Sequence, residues 1–164
     1  MTEFQRLFLT QARTDFVVFD LLKKNAKLPA CHALHYLQMA TELLGKAHAW
    51  KDGPPAQKHR AFVEFLRSLS SNRKAQRRLH FEGQNQNWSE SIRKFIPFAK
   101  EIEDLAPSLA QDGPNPEYPW PRLAPVESPV EHTFEVWRKL QETTAGIRFL
   151  SFVERLFAAA DAFL

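Results

Sequence analysis

One cysteine, five glycines, two tyrosines and two methionines are all that this 164-residue chain holds of those types, and each scarcity excludes something. The lone Cys31 rules out an intrachain disulfide and any Cys-x-x-Cys pair, and it points to a reducing compartment. Five glycines leave few sites for tight hairpins, and neither a P-loop nor a GxGxxG, GxSxG or HExxH motif occurs. No apolar run approaches the length that spans a bilayer. The stretch "MTEFQRLFLTQARTDF" mixes acids and bases into its apolar pattern, which is not the pattern of a signal peptide. The expectation is a cytoplasmic protein without a membrane partner.

What is abundant is phenylalanine, fourteen in all, within 44% hydrophobic and 25% charged residues. That balance suits one soluble domain covering residues 1–164. Apolar residues recur at three- and four-residue steps, so the predicted fold is all-α: an antiparallel four- to five-helix up-and-down bundle. The first helix is expected from Glu3 to Lys24, burying Phe4, Leu7, Phe8, Ala12, Phe16, Phe19 and Leu22, with Val17, Val18 and Leu21 widening that face. Pro29 fits the first turn of the second helix, where Ala33, Leu37, Ala40, Leu44 and Ala47 form a seam with small residues at alternate layers. "KDGPP" from Lys51 ends that helix.

A third helix carries Phe62, Phe65, Leu66 and Leu69 and pauses at "SSN" before "RKAQRRLHF". After the polar turn "EGQNQN", Ser89 is the expected N-cap of a helix through Ile92, Phe95, Ile96, Ala99, Ile102 and Leu105. Pro97 predicts a kink or a late start in it. A proline-rich excursion over residues 106–129 follows, in which Tyr118, Trp120 and Leu123 offer area to bury. "SPVE" at Ser128 reads as a capping box opening a last helix through Phe134, Trp137, Leu140, Ile147, Leu150, Val153 and Phe157.

Four constellations carry candidate chemistry. Cys31, His32 and His35 share helical faces, but zinc needs three or four converging ligands, and a third would come from His48 or Asp15; no metal and no cofactor is expected. Glu42 and Lys46, spaced i,i+4, read as a structural pair that fixes helix register if partly buried. Arg73, Lys74, Arg77 and Arg78 put four cations on almost two turns with no acid among them, a pattern that binds phosphates. The competing account is a solvated basic face, paired with the acidic stretch from Glu101 onward. His80 beside them has a pKa suited to a general base. Finally, Tyr118 and Trp120 among prolines are either partner anchors or a lid over the core.

"LPACHALHYLQMATELLGKAHAW", taken with "TQARTDFVVFDLLKKN", resembles the HEPN superfamily, whose second helix reads as small and aromatic residues followed by Glu, three residues and Lys, here Glu42 and Lys46. The resemblance covers about the first fifty residues. It implies a four- or five-helix bundle, usually a homodimer, that binds nucleotides or RNA, partners a nucleotidyltransferase-type protein, or cleaves RNA without metal through an Arg-x(4–6)-His motif. Arg73 and His80 match that spacing, but mid-chain rather than on a late helix, and Lys74 follows the arginine. The leading expectation is therefore a non-enzymatic module that binds a nucleotide, RNA or protein partner through its basic face. A metal-independent ribonuclease using Arg73 and His80 is the second, and a purely structural interaction module the third.

Overall fold

The computed structural model describes residues 1–50, 60–79, 88–121, 125–162 and 164. The "KDGPP" and "EGQNQN" turns, His80 and Leu123 lie outside the described residues. Eight α-helices are described: α1 (Glu3–Lys23), α2 (Ala30–Ala49), α3 (Ala61–Leu69), α4 (Arg73–Arg78), α5 (Trp88–Glu103), α6 (Pro107–Ala110), α7 (Glu135–Glu142) and α8 (Thr144–Ala159). The protein is an all-helical bundle with no β-strand among the described residues. No described helix is long and apolar enough to cross a membrane.

α1 begins at a reciprocal capping box, in which Thr2 Oγ1 accepts from Gln5 N at 3.2 Å and Gln5 Oε1 accepts from Thr2 N at 2.8 Å. The short loop after Lys23 returns α2 along α1. Ala33, Leu37, Ala40, Leu44 and Ala47 are all buried, as the small-residue seam predicts. Gly45 extends this close packing. A Cβ there would sit 2.6 Å from Phe62 N, so only glycine lets α2 meet the start of α3. Phe62, Phe65, Leu66 and Leu69 of α3 fill the centre with Phe149 and Phe152 of α8.

The pause at Ser70–Asn72 is real: Asn72 Oδ1 accepts from Ala75 N at 3.0 Å and caps α4. Ser89 is not the cap expected of it. It lies in the first turn of α5 and donates to Ser70 O at 2.9 Å, while Trp88 Nε1 donates to Leu69 O at 2.7 Å, so both moor α5 to the end of α3. Pro29 sits one residue before α2 rather than in its first turn. Pro97 does not delay α5, which runs through it to Glu103. Arg93 is exposed there, so the carbonyl that loses its N–H partner lies on the solvent side of the helix.

Two expectations are overturned. "SPVE" makes a single turn, with Glu131 N and His132 N donating to Ser128 O, and the helix starts only at Glu135. Tertiary contacts outbid the local cap. Trp120 and Glu127 exchange backbone hydrogen bonds, His132 Nδ1 lies 2.9 Å from Glu127 Oε2, and the His132 and Phe134 rings pack on Trp120. The final helix also breaks at Thr143, whose hydroxyl accepts from Gly146 N and caps α8. At Gly146 a Cβ would sit 2.6 Å from Leu140 Cα, so α8 starts pressed against the end of α7. Ile147, expected inside, is exposed, whereas Phe149, Phe152 and Leu156 are buried.

α1 departs from the predicted pattern as well. Leu9, Ala12 and Phe19 are buried and Phe8, Phe16 and Leu22 pack against the core, but Phe4, Leu7, Val17 and Leu21 face solvent. The apolar residues of this helix form two faces, and the bundle covers one.

Candidate anion-binding face

α4 has only six residues, and its orientation follows from two apolar ones. Ala75 and Leu79 are buried without exposure, so Arg73, Lys74, Arg77 and Arg78 are turned outward, all four of them exposed. Arg73 stacks with Arg77 and Lys74 with Arg78, one turn apart. Within the acidic stretch from Glu101, Asp104 pairs with Arg60 at 3.3 Å and Glu101 with Lys139 at 3.0 Å.

The sequence pattern did not reveal the cations that α8 and α1 bring to this place. Arg155 Nη1 donates to Leu79 O at 3.2 Å and its Nε to Ser151 O at 3.4 Å, which fixes the guanidinium at the C-terminal end of α4. A positive charge there also meets the helix's free carbonyls. Arg78 and Arg155 line a cleft of about 370 Å³ with Ala158, Ala159, Asp161 and Ala162. Its volume lies toward the small end for small-molecule sites, about 300–1,000 Å³. The one carboxylate in its wall is already engaged. Arg13 Nη2 donates to Asp161 Oδ2 at 2.6 Å and also to Phe157 O at 3.2 Å. The rest of the lining is the two arginines and three alanines. Arg155 carries no mark of this role in the sequence, because it lies among the apolar residues of the last helix and meets α4 only across 76 residues.

One buried carboxylate ties the end of α5 to the start of α3. Glu103, 1% exposed at the end of α5, accepts from Phe62 N at 2.8 Å and Val63 N at 2.9 Å through Oε1. It satisfies two of the free N–H groups at the start of α3. Its Oε2 has no hydrogen-bond partner among the described residues. Burial pushes its pKa up to about 7, against the two backbone donors and the Arg60 charge, which favour the ionised form.

The remaining candidates scatter. Lys46 pairs with Glu42 Oε1, and Gln38 Nε2 donates to Glu42 Oε2 at 2.6 Å; Glu42 is buried, so this is a pair inside the fold. Cys31 is buried, His32 is exposed, His48 packs against Phe65, and His35 Nδ1 lies 3.5 Å from Glu117. Asp15 is buried and its pKa is raised by desolvation, with the Gln11 amide and the His35 charge opposing. No group of three or more metal-ligating side chains occurs among the described residues. Trp120 is 4% exposed and Tyr118 60%, so of these two aromatics only Tyr118 is presented to solvent. Trp120 staples the excursion to the bundle. The Arg73–His80 pairing falls outside the described residues, because His80 does.

The fold and this site define a class: an all-helical bundle with an exposed basic helix beside an arginine-lined cleft. No known protein family matches the chain, and neither does any curated protein or solved structure.

Proposed function

We propose that this chain is a non-enzymatic, cytoplasmic helical module that binds phosphate groups of RNA or nucleotides through α4 and its cleft. The observation that carries this reading is the convergence of Arg78 of α4 and Arg155 of α8 on one cleft, beside the outward Arg73, Lys74 and Arg77. Arginine gives phosphate two parallel hydrogen bonds as well as charge. A guanidinium held by backbone carbonyls loses less freedom on binding than a loose one. Membership of the HEPN superfamily, homodimer formation and pairing with a nucleotidyltransferase-type protein belong to the same proposal, as what the sequence resemblance implies.

The test is fluorescence anisotropy with a labelled single-stranded RNA across a salt series, in chelator, with tripolyphosphate as competitor. Expected is binding that weakens steeply with salt, is competed by tripolyphosphate and leaves the RNA intact. No binding by the wild-type protein at low salt overturns the reading. Cleavage that persists in chelator and disappears in His80→Ala replaces it with the metal-independent ribonuclease.

A further inference from the structure

We infer that the cleft between α6 and the segment after it binds a proline-rich stretch of another protein, held in the extended polyproline conformation. The cleft encloses about 420 Å³ and shares no residue with the arginine-lined one. Pro107, Ser108 and Gln111 reach it from α6 and its C-terminal end, and Tyr118, Pro119 and Trp120 from the excursion. The two aromatics of "NPEYPWP", which the anion reading leaves unused, therefore belong to one cavity with two prolines. Its volume suits a short stretch of chain rather than a folded surface.

The frame of the cleft is fixed. Asn115 is buried, and its Oδ1 accepts from Glu117 N at 3.1 Å and Tyr118 N at 2.9 Å, which sets the turn that delivers Tyr118. Trp120 N donates to Glu127 O at 3.0 Å, and the Trp120 ring packs on His132 and Phe134. Gln111 ends α6 at φ 54°, in the left-handed region that side chains other than glycine seldom occupy. Such strain persists where the surroundings hold it, and it collects at ligand-binding segments. On this held backbone the Tyr118 ring stands exposed. A groove shaped in advance gives up little freedom on binding.

The polar groups of the wall select the occupant. Trp120 Nε1, the hydroxyls of Tyr118 and Ser108, and the Gln111 amide make no hydrogen bond among the described residues. Trp88 differs, since its Nε1 donates to Leu69 O. An indole N–H only donates, so Trp120 calls for an acceptor. The charged side chain of the wall is Asp112, and no cation lines the cleft among the described residues, which disfavours phosphates and carboxylates here. A proline-rich stretch has the complementary chemistry. Its extended helix makes no internal hydrogen bonds, so its carbonyls are free to accept, and its prolines bring no N–H to satisfy. About three residues make a turn, so prolines at every third position share one face and can pack on Tyr118, Pro107 and Pro119. A sugar fits less well. Trp120 is buried, so it offers the cleft its N–H edge, which leaves only the Tyr118 ring for a sugar to stack on.

The test is fluorescence anisotropy of labelled decaproline, with a Gly-Ser peptide of equal length as control and cellopentaose as competitor. Expected is saturable binding of decaproline that changes little with salt, is not competed by tripolyphosphate or cellopentaose, and is absent for the Gly-Ser peptide. Tyr118→Ala and Trp120→Phe should each weaken it several-fold with an unchanged circular dichroism spectrum. Tyr118 is exposed, so its loss spares the fold, and Trp120→Phe keeps an aromatic ring while removing the N–H. Arg155→Ala should leave decaproline binding unchanged. No binding by the wild-type protein overturns the inference. So does equal binding of the Gly-Ser peptide, or decaproline binding that survives both Tyr118→Ala and Trp120→Phe. Displacement by cellopentaose reassigns the cleft to a saccharide. None of these readouts involves RNA, so failure here and failure of the anion reading remain separate.

Discussion

Arg155 donates to the carbonyl of Leu79, and that hydrogen bond between residues 76 apart joins the last helix to the short basic helix α4. It fixes one wall of the cleft and closes the end of α4 at the same time.

Arg155→Ala therefore has two effects. Losing charged hydrogen bonds to the backbone should cost about 1–3 kcal/mol of stability. The cleft also loses a fixed cation, so RNA affinity should fall several-fold at low salt. Arg155→Lys should recover part of the charge but little of the two-pronged geometry. Urea denaturation and anisotropy on the same three proteins separate the two effects. Unchanged affinity in Arg155→Ala would remove the cleft from the binding site.

The outward cations of α4 make a different prediction. Arg73→Glu with Lys74→Glu touches no buried group, so thermal stability should move by less than about 0.5 kcal/mol. The slope of log affinity against log salt should shrink by about 0.7 for each single-strand phosphate that is no longer neutralised. A slope identical to that of the wild type would mean that these two residues face only water.

Glu103 sets a pH dependence of stability. Its folded pKa, about 7, lies above the ordinary value of 4.5, so between those pH values the folded state binds the extra proton. The protonated form's contribution is fully present below about pH 4.5 and is lost as pH rises through about 7. The shift corresponds to about 3 kcal/mol. Denaturation midpoints from pH 5 to pH 8 should fall with rising pH in the wild type and flatten in Glu103→Gln. Glu103→Ala should be less stable throughout, because the Phe62 and Val63 N–H groups lose their acceptor.

Gly45 and Gly146 are the packing-critical glycines. A methyl at either meets backbone of the neighbouring helix inside 3 Å, and backbone does not yield as a side-chain end would. Gly45→Ala and Gly146→Ala should each cost about 3 kcal/mol, well beyond the usual helix gain of Gly→Ala. Thermal melts of the two variants check this.

Much of the fold was legible because its causes are local. The small-residue seam of α2, the pause at Ser70–Asn72 and the apolar stripe of α3 follow from spacing and capping chemistry, which neighbours within a few residues decide. The basic face of α4 was legible for the same reason: Arg73, Lys74, Arg77 and Arg78 share a helix with Ala75, whose burial turns them outward.

What only the tertiary structure decided involves competition between distant segments. "SPVE" has every local mark of a helix start, yet the Trp120–Glu127 pairing and the His132 and Phe134 rings hold that stretch as a turn. α1 is apolar on two faces, and its sequence does not say which one α2 covers; packing left Leu7, Val17 and Leu21 outside. Arg155 and Arg13 at the candidate site, and the buried Glu103 elsewhere, reach across 76, 148 and 41 residues, to Leu79, Asp161 and Phe62. By itself the sequence determined helices and the charge on α4, because periodicity and capping act within a turn. The cleft, and the exposure of Leu7, Val17 and Leu21 on α1, arose only when the helices chose their neighbours, because burial is settled between elements and not along one.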